Sequence, residues 1–369
     1  MPSTESVAAL LTLPFYTVAY IQPRRRQNRD WTYRQAILNT YLKVCLHTFT
    51  FLRLQPSLSL KPGVEGDRFA LVEPGHPILY TGAAEDHEVK PATIGGTWYP
   101  RPFSSDPTLP AAYSVVLHLH GGSYIIGDGR TVSCHFLAKN LLAYTPSRYV
   151  FCPQYRLAGN ANCRFPAQLQ DAISAYSYLL HTLGIPASRI VLSGDSSGGH
   201  LALGLLRHMT QLEDAALLPK PKCIWLWSPQ CDVPAATDTE AWKQNSNYPT
   251  DYIPSTFPAW GSKHFLAGLE ITKAIEPYGA PIKHPFPLPS PVLIISGGQE
   301  VLFQEHREIT KRFLRIPQNV PLVKLYVEET VPHDLLMIGW VFNFRKEARR
   351  CCMKAGEFLD HVHRESQRR

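Results

Sequence analysis

Ser196 stands in the run Gly194-Asp195-Ser196-Ser197-Gly198-Gly199, just after the apolar stretch Arg189–Leu192 and just before apolar residues at helical spacing from Gly198 to Met209. A serine at a sharp strand-to-helix turn presents its hydroxyl outward, and glycines two places away on either side are needed because side chains there would collide with the turn. The helix that follows aims its N-terminus at the same point, which favours a developing oxyanion. This is how a nucleophile for acyl transfer is held; a Gly/Ser turn without chemistry is the other reading of so short a pattern. Acyl transfer also calls for backbone N–H groups converging on a carbonyl oxygen, and only glycine lets the main chain come that close. The run His118-Leu119-His120-Gly121-Gly122-Ser123-Tyr124, at the end of the apolar stretch from Ser114, offers such a loop.

The elements that must position these residues follow a regular rhythm from about residue 113. Short apolar runs occur at Ser114–His118, Tyr149–Cys152, Arg189–Leu192, Cys223–Trp227, Pro291–Ile295 and Leu322–Val327. Between them Thr131–Tyr144, Pro166–Thr182, Gly198–Met209 and Leu302–Leu314 carry apolar residues at helical spacing. Alternation of this kind predicts an α/β fold with a mostly parallel, doubly wound sheet and helices on both faces. Residues 235–289 break the rhythm with many prolines and with Tyr248, Tyr252, Phe257, Trp260 and Phe265, so a cap over the site is expected there. The division expected is an N-terminal segment over 1–70, helical and apolar, and a catalytic domain over 71–369.

These blocks together resemble the hormone-sensitive-lipase-like branch of the α/β hydrolases, in which an H-G-G loop precedes a G-D-S-x-G-G turn. His120-Gly121-Gly122-Ser123 and Gly194 to Gly199 match, with Ser123 where that branch most often has a third glycine. Tyr155-Arg156-Leu157-Ala158 followed by Phe165-Pro166-Ala167 and Asp171 is similar to the stretch the branch carries between its two loops, with Gly159 in place of a proline. The wording around Cys163-Arg164-Phe165-Pro166 looks most like fungal members. The resemblance covers about residues 113 to 340. It implies an α/β-hydrolase fold and a serine nucleophile followed in chain order by an acid and then a histidine. That order excludes every histidine before Ser196, and the resemblance places the base at His333, in the loop Thr330-Val331-Pro332-His333-Asp334 before an apolar stretch. The acid is Glu300 in Gly297-Gly298-Gln299-Glu300-Val301-Leu302, where the branch usually has Asp, with Asp232 after the preceding strand as the rival. Gly121, Gly122 and Ser197 would supply the oxyanion hole, and His120 and Asp195 would support the loop and the turn without a chemical step. The resemblance implies no cofactor.

Composition narrows the partners. The net charge of +7 is concentrated at the ends: Gln22–Ala36 carries five arginines against Asp30, and Asn343–Arg369 holds eight basic and four acidic residues. The region between is nearly neutral, which speaks against a nucleic-acid surface. The eight cysteines form no C-x-x-C pair, so neither a structural metal nor a disulfide scaffold is expected. Val7–Ile21 is apolar, is interrupted by Pro14 and precedes the arginine cluster. It is shorter than the roughly 20 residues that span a bilayer, and its flanks do not suit a cleaved signal peptide. Either it packs as a helix over the mouth of the site or it rests on an anionic membrane surface, with the arginine flank cytoplasmic.

The expectation is a carboxylic-ester hydrolase acting on a small-molecule substrate, a short acyl or acetyl ester of an apolar alcohol, in the cytoplasm and with or without a membrane association. An acetyl-ester or lactone hydrolase of fungal secondary metabolism and a sterol-acetate deacetylase both fit, as does an amidase or formamidase on the same residues. A ligand-binding receptor on the same scaffold is the non-enzymatic alternative, against which Ser196, His333 and an acid all stand.

Overall fold

Eight strands form one sheet: Phe69–Val72 (β1), Ile94–Tyr99 (β2), Ser114–Leu119 (β3), Ser147–Gln154 (β4), Ile190–Asp195 (β5), Cys223–Trp227 (β6), Val292–Gly297 (β7) and Val323–Glu328 (β8). Their order is β1-β2-β4-β3-β5-β6-β7-β8. β2 runs antiparallel to β1 and β4, and the other pairings are parallel. This is a computed structural model, and it describes residues 4–105, 113–270 and 272–368.

All residues of β3, β5, β6 and β7 are buried, as parallel strands covered on both faces must be. The helices in chain order are Thr4–Ala19 (α1), Tyr33–Leu52 (α2), Thr131–Tyr144 (α3), Ala167–Ser177 (α4), Ser197–Gln211 (α5), Thr239–Gln244 (α6), Thr256–Phe265 (α7), Glu276–Gly279 (α8), Phe303–Leu314 (α9), Leu335–Ile338 (α10) and Arg345–Arg368 (α11). One apolar layer joins the sheet to α4, α5 and α9 through Leu169, Ile173, Leu205 and Ile309. The other joins it to α3 and α11 through Leu141, Cys352 and Phe358.

The six predicted strands are all present, each within a few residues of its predicted ends. The helix expected over Pro166–Thr182 stops being α-helical at Ser177 and finishes in a wider turn, Tyr178–Thr182. The helix after His333 is a single turn, α10.

The N-terminal segment folds back over the top of the sheet. Thr32 caps α2 in a reciprocal box with Gln35, which fixes where the helix begins. α2 then lies on α7, with Phe49 packed against Phe257 and Trp260 at centroid distances of 6.4 and 5.9 Å. Just before α2, the Trp31 indole N–H donates to the Thr330 carbonyl at 2.5 Å, and the ring meets Phe344 edge-on. α1 leans on α2, with Thr17 Oγ1 3.3 Å from the Tyr41 hydroxyl. In the apolar stretch read from the sequence, the side chains of Val7 to Leu10 lie outside the described residues; Leu11, Phe15, Val18 and Ile21 are exposed. Among the described residues no helix is long and apolar enough to cross a membrane.

Candidate active site

β5 ends at Asp195 and α5 begins at Ser197, so Ser196 alone makes the turn, at φ 51° and ψ −119°. A non-glycine residue in this region is strained by roughly 1–3 kcal/mol and persists only where its surroundings hold it. The hold is visible: the Ser196 N–H donates to the Trp227 carbonyl at 2.9 Å, and its carbonyl accepts from the N–H groups of His200 and Gln230. The flanking glycines are sterically required. A Cβ on Gly194 would sit 2.3 Å from the Gly198 carbonyl oxygen, and one on Gly198 would sit 2.0 Å from that of Leu119.

The loop after β3 passes beside this turn. Gly122, Ser123 and Tyr124 have φ of 111°, 51° and 63°, a reversal that folds the loop back so that the Ile125 and Ile126 N–H groups both donate to the Gly122 carbonyl. His120 lies under it, Nδ1 2.8 Å from the Gly121 carbonyl oxygen and its ring stacked on Tyr155 at 4.1 Å. Burial pushes the His120 pKa down to about 4, so it braces the loop as a neutral ring. α7 crosses above, and a Cβ on its Gly261 would stand 1.9 Å from the Ser123 carbonyl oxygen.

His333 comes from the loop between β8 and α10. It shares with Ser196, Gly122 and Ser123 the lining of one cavity of about 30 Å³. Its Nδ1 lies 2.7 Å from Glu300 Oε2. The other carboxylate oxygen, Oε1, accepts from the Gly297 N–H at 2.5 Å and from the hydroxyls of Ser228 and Ser296, each at 3.0 Å. Burial opposes the charge on Glu300, but His306, His333 and these donors outweigh it and hold the carboxyl below its ordinary range. Burial likewise opposes charge on His333, and the hydrogen bond to Glu300 reverses the sign, holding the imidazole above the ordinary value of 6.5. Ser196 and His333 therefore line one cavity, and His333 is bonded to Glu300, at the C-terminal ends of β5, β8 and β7.

The sequence profile of the alpha/beta hydrolase fold matches residues 116–337, well over half of the chain. The chain belongs to this family. It is similar to an acetyl-hydrolase of Streptomyces hygroscopicus, 28% identical over 244 residues, which are 66% of this chain and 74% of that protein. It is also similar to an ethyl acetate hydrolase of Pseudomonas putida, 37% identical over 121 residues, only 31% of this chain and 35% of that one. Among solved structures, an esterase from the bacterial hormone-sensitive lipase family shares the fold with a TM-score of 0.57 at 21% identity, covering 97% of this chain and 98% of that one.

Within this hydrolase the rival acid, Asp232, is engaged elsewhere. One of its oxygens accepts from the Ala235 N–H at 3.0 Å and the other pairs with Lys283 at 2.8 Å, so it anchors the loop that leads to α6. Gly121 packs against both residues of the turn: a Cβ there would stand 2.3 Å from Asp195 Oδ2 and 3.0 Å from Ser196 Cβ, and its N–H is directed at the Asp195 carboxylate. Gly122 and Ser197 remain beside the serine, and Ser197 Oγ accepts from the Tyr124 N–H at 3.3 Å. Asp195 itself pairs with His118 at 2.8 Å.

Several residues around the site carry no mark in the sequence. Ser228, Ser296 and His306 gather around Glu300, His306 being held between the Ser296 hydroxyl and the Pro229 carbonyl. Asp251, from the stretch before α7, accepts from the N–H groups of Ile253 and Val301 and so fixes the loop that carries Glu300. A glutamate on the loop after β7 is visible in a sequence; that Ser296 and Gly297 just before it and Ser228 after β6 all turn their donors toward it is not. Among the described residues no group of acidic, histidine or cysteine side chains could hold a metal ion.

Proposed function

We propose that this carboxylic-ester hydrolase works through Ser196, His333 and Glu300 by way of an acyl-enzyme. His333 Nε2 takes the proton of Ser196 Oγ as that oxygen attacks the ester carbonyl, and Glu300 stabilises the imidazolium through the Nδ1–H bond. The N–H groups of Gly122 and Ser197 receive the oxyanion; one such donor is worth about 10² or more in rate. The protonated His333 gives its proton to the departing alcohol. Water then attacks the acyl-serine with His333 as base, releasing the acid and restoring Ser196. The observation that carries this reading is the 2.7 Å contact of His333 Nδ1 with Glu300, made by a histidine that shares its cavity with a serine on a strained turn. The substrate class we assign is a short acyl or acetyl ester of an apolar alcohol, as the names of the two relatives and the aromatic lining from residues 235–289 suggest. We read that stretch, with residues 1–70, as the cap.

The test is labelling with a fluorophosphonate probe together with hydrolysis of ethyl acetate. An adduct at Ser196, absent in Ser196→Ala, and turnover of the ester are expected. A folded protein that takes no adduct would return the chain to the ligand-binding alternative. Turnover of a formyl amide or a lactone in preference to every ester would move it to the amidase or lactonase readings.

A membrane surface is the second partner we assign. Leu11, Phe15, Val18 and Ile21 present an exposed apolar stripe on and just after α1, with Arg24, Arg25 and Arg29 following, the pattern of a helix lying in an anionic interface. The cytoplasmic leaflet supplies such a surface. Sedimentation with vesicles containing phosphatidylserine is expected, and equal recovery in the supernatant with and without vesicles would remove this assignment.

A further inference from the structure

The cavity at Ser196 has a much larger neighbour. It measures about 430 Å³ and lies between α2, α3, the glycine loop and α10, lined by Leu42, Cys45, Val132, Leu137 and Ile338 among others. Leu46, Ile126, Tyr252 and Met337 line both spaces and form the partition between them. Met337 is unbranched and adaptable, the kind of side chain that can yield to a ligand. The far end opens at the surface, where Val132 is 91% and Trp340 49% exposed. Of the ionisable groups on its wall, His118 and Asp195 are paired with each other at 2.8 Å and burial keeps His120 neutral, so the space offers little to a charged ligand.

The two volumes suit different parts of one ester. A space of 30 Å³ holds about two water-sized groups, close to what an acetyl group needs. A space of 430 Å³ falls in the range of pockets that enclose a small-molecule ligand. The chemistry decides which arm goes where. The acyl group stays covalently on Ser196 Oγ after the first step, whereas the alcohol must leave before water can attack. The arm that leaves needs a way out, and the large cavity has one.

We propose that the large apolar cavity is the alcohol subsite, and that the substrate is an acetyl-sized ester of a large apolar alcohol, on the order of ten carbons, whose chain passes the Leu46–Met337 partition toward the Val132–Trp340 opening. This rests on the esterase reading. The bond between the acyl carbon and the alcohol oxygen breaks, that oxygen takes the proton from His333, and the free alcohol leaves through the opening.

Decyl acetate and ethyl decanoate are isomers of the same polarity that differ in which arm is long. The expected kcat/KM for decyl acetate exceeds that for ethyl decanoate by about 100-fold or more, since each buried methylene adds a factor of about four. Equal values, or a preference for ethyl decanoate, would overturn the assignment while leaving the esterase reading intact. Failure to turn over ethyl acetate as well as both isomers, with no probe adduct at Ser196, would instead sink the esterase reading. Cys45→Trp, on the exposed side of α2, is expected to lower turnover of decyl acetate by at least about tenfold, with ethyl acetate changed by no more than about twofold. An equal effect on both esters counts against a separate subsite. Should that variant not fold, alkylation of Cys45 by a maleimide in the unmodified protein, with Cys45→Ser as the control, reads the same contrast.

Discussion

Two serine–histidine–carboxylate groups lie side by side in this molecule. In one, Ser196 shares a cavity with His333, whose Nδ1 is bonded to Glu300; in the other, the Ser193 hydroxyl is 2.9 Å from His118 Nδ1, and His118 Nε2 is 2.8 Å from Asp195. The residue types are nearly the same and the histidine–carboxylate bonds are alike, 2.7 and 2.8 Å. What differs is backbone and access. Ser193 sits in the regular part of β5, fully buried, with its oxygen also accepting from the Trp227 indole N–H. Burial drives the His118 pKa down to about 3, so that ring stays neutral and, as the Nε2–H tautomer, satisfies both neighbours. Ser196 sits three residues on, at the strained turn, and lines a cavity. The group we propose to be catalytic is set apart by the turn under its serine and by the carboxylate that raises its histidine, not by composition.

The contrast can be broken most directly at the serines. Ser196→Ala should lower kcat/KM on a short ester by about 10⁴-fold or more, and a comparable loss in Ser193→Ala would end the distinction drawn here. Glu300→Gln comes next. It should cost about 10²- to 10⁴-fold in kcat. Its pH profile carries the sharper information: His333 must be neutral to act as base, so activity falls as pH drops through its pKa, which Glu300 holds above 6.5. Removing that charge lowers the pKa, so the acid limb of kcat/KM should move to lower pH; an unmoved limb would place the controlling group elsewhere.

Smaller effects sharpen the picture. Ser193→Ala leaves the Trp227 and His118 nitrogens without their shared partner, and should reduce stability to urea by about 1–3 kcal/mol while kcat stays within about threefold of the unmodified protein. Asp232→Asn should matter least, costing about 1 kcal/mol or less because Lys283 is half exposed, with the pH profile unchanged. A shift of that profile would revive Asp232 as the acid.

The parallel strands were legible because each is a short, mostly apolar run between helical repeats. β1 and β2 were not. β2 begins Ile94-Gly95-Gly96, and its glycines make room for aromatic rings: a Cβ on either would stand 2.2 Å from the ring of Phe69 or of Phe151. A strand whose packing comes from its neighbours' side chains shows neither alternation nor strand-forming residues at its start. The same distinction holds at the site. Ser196, His333 and Glu300 sit on loops whose wording is local, so all three could be named as candidates. Ser228 and Asp251 act through groups brought near by the fold, and Ser296 and His306, though close to Glu300 in the chain, become its neighbours only through the turn after β7, so nothing in their own stretches marks them. Gly121 was read from its type, but its direction depends on Asp195, which only the fold supplies.

The hydrogen bond from Trp31 to the Thr330 carbonyl bears on how this enzyme can be cut or recombined. Residue 31 lies far outside the stretch that matches the family profile, yet it grips the loop that carries the histidine three residues further on. A shortened form starting near residue 70 would keep Ser196, His333 and Glu300 and lose that grip. Grafting the first seventy residues of a relative onto this body would exchange the clasp on its base along with any membrane address. The two ends of the chain are in this sense a single inheritable unit.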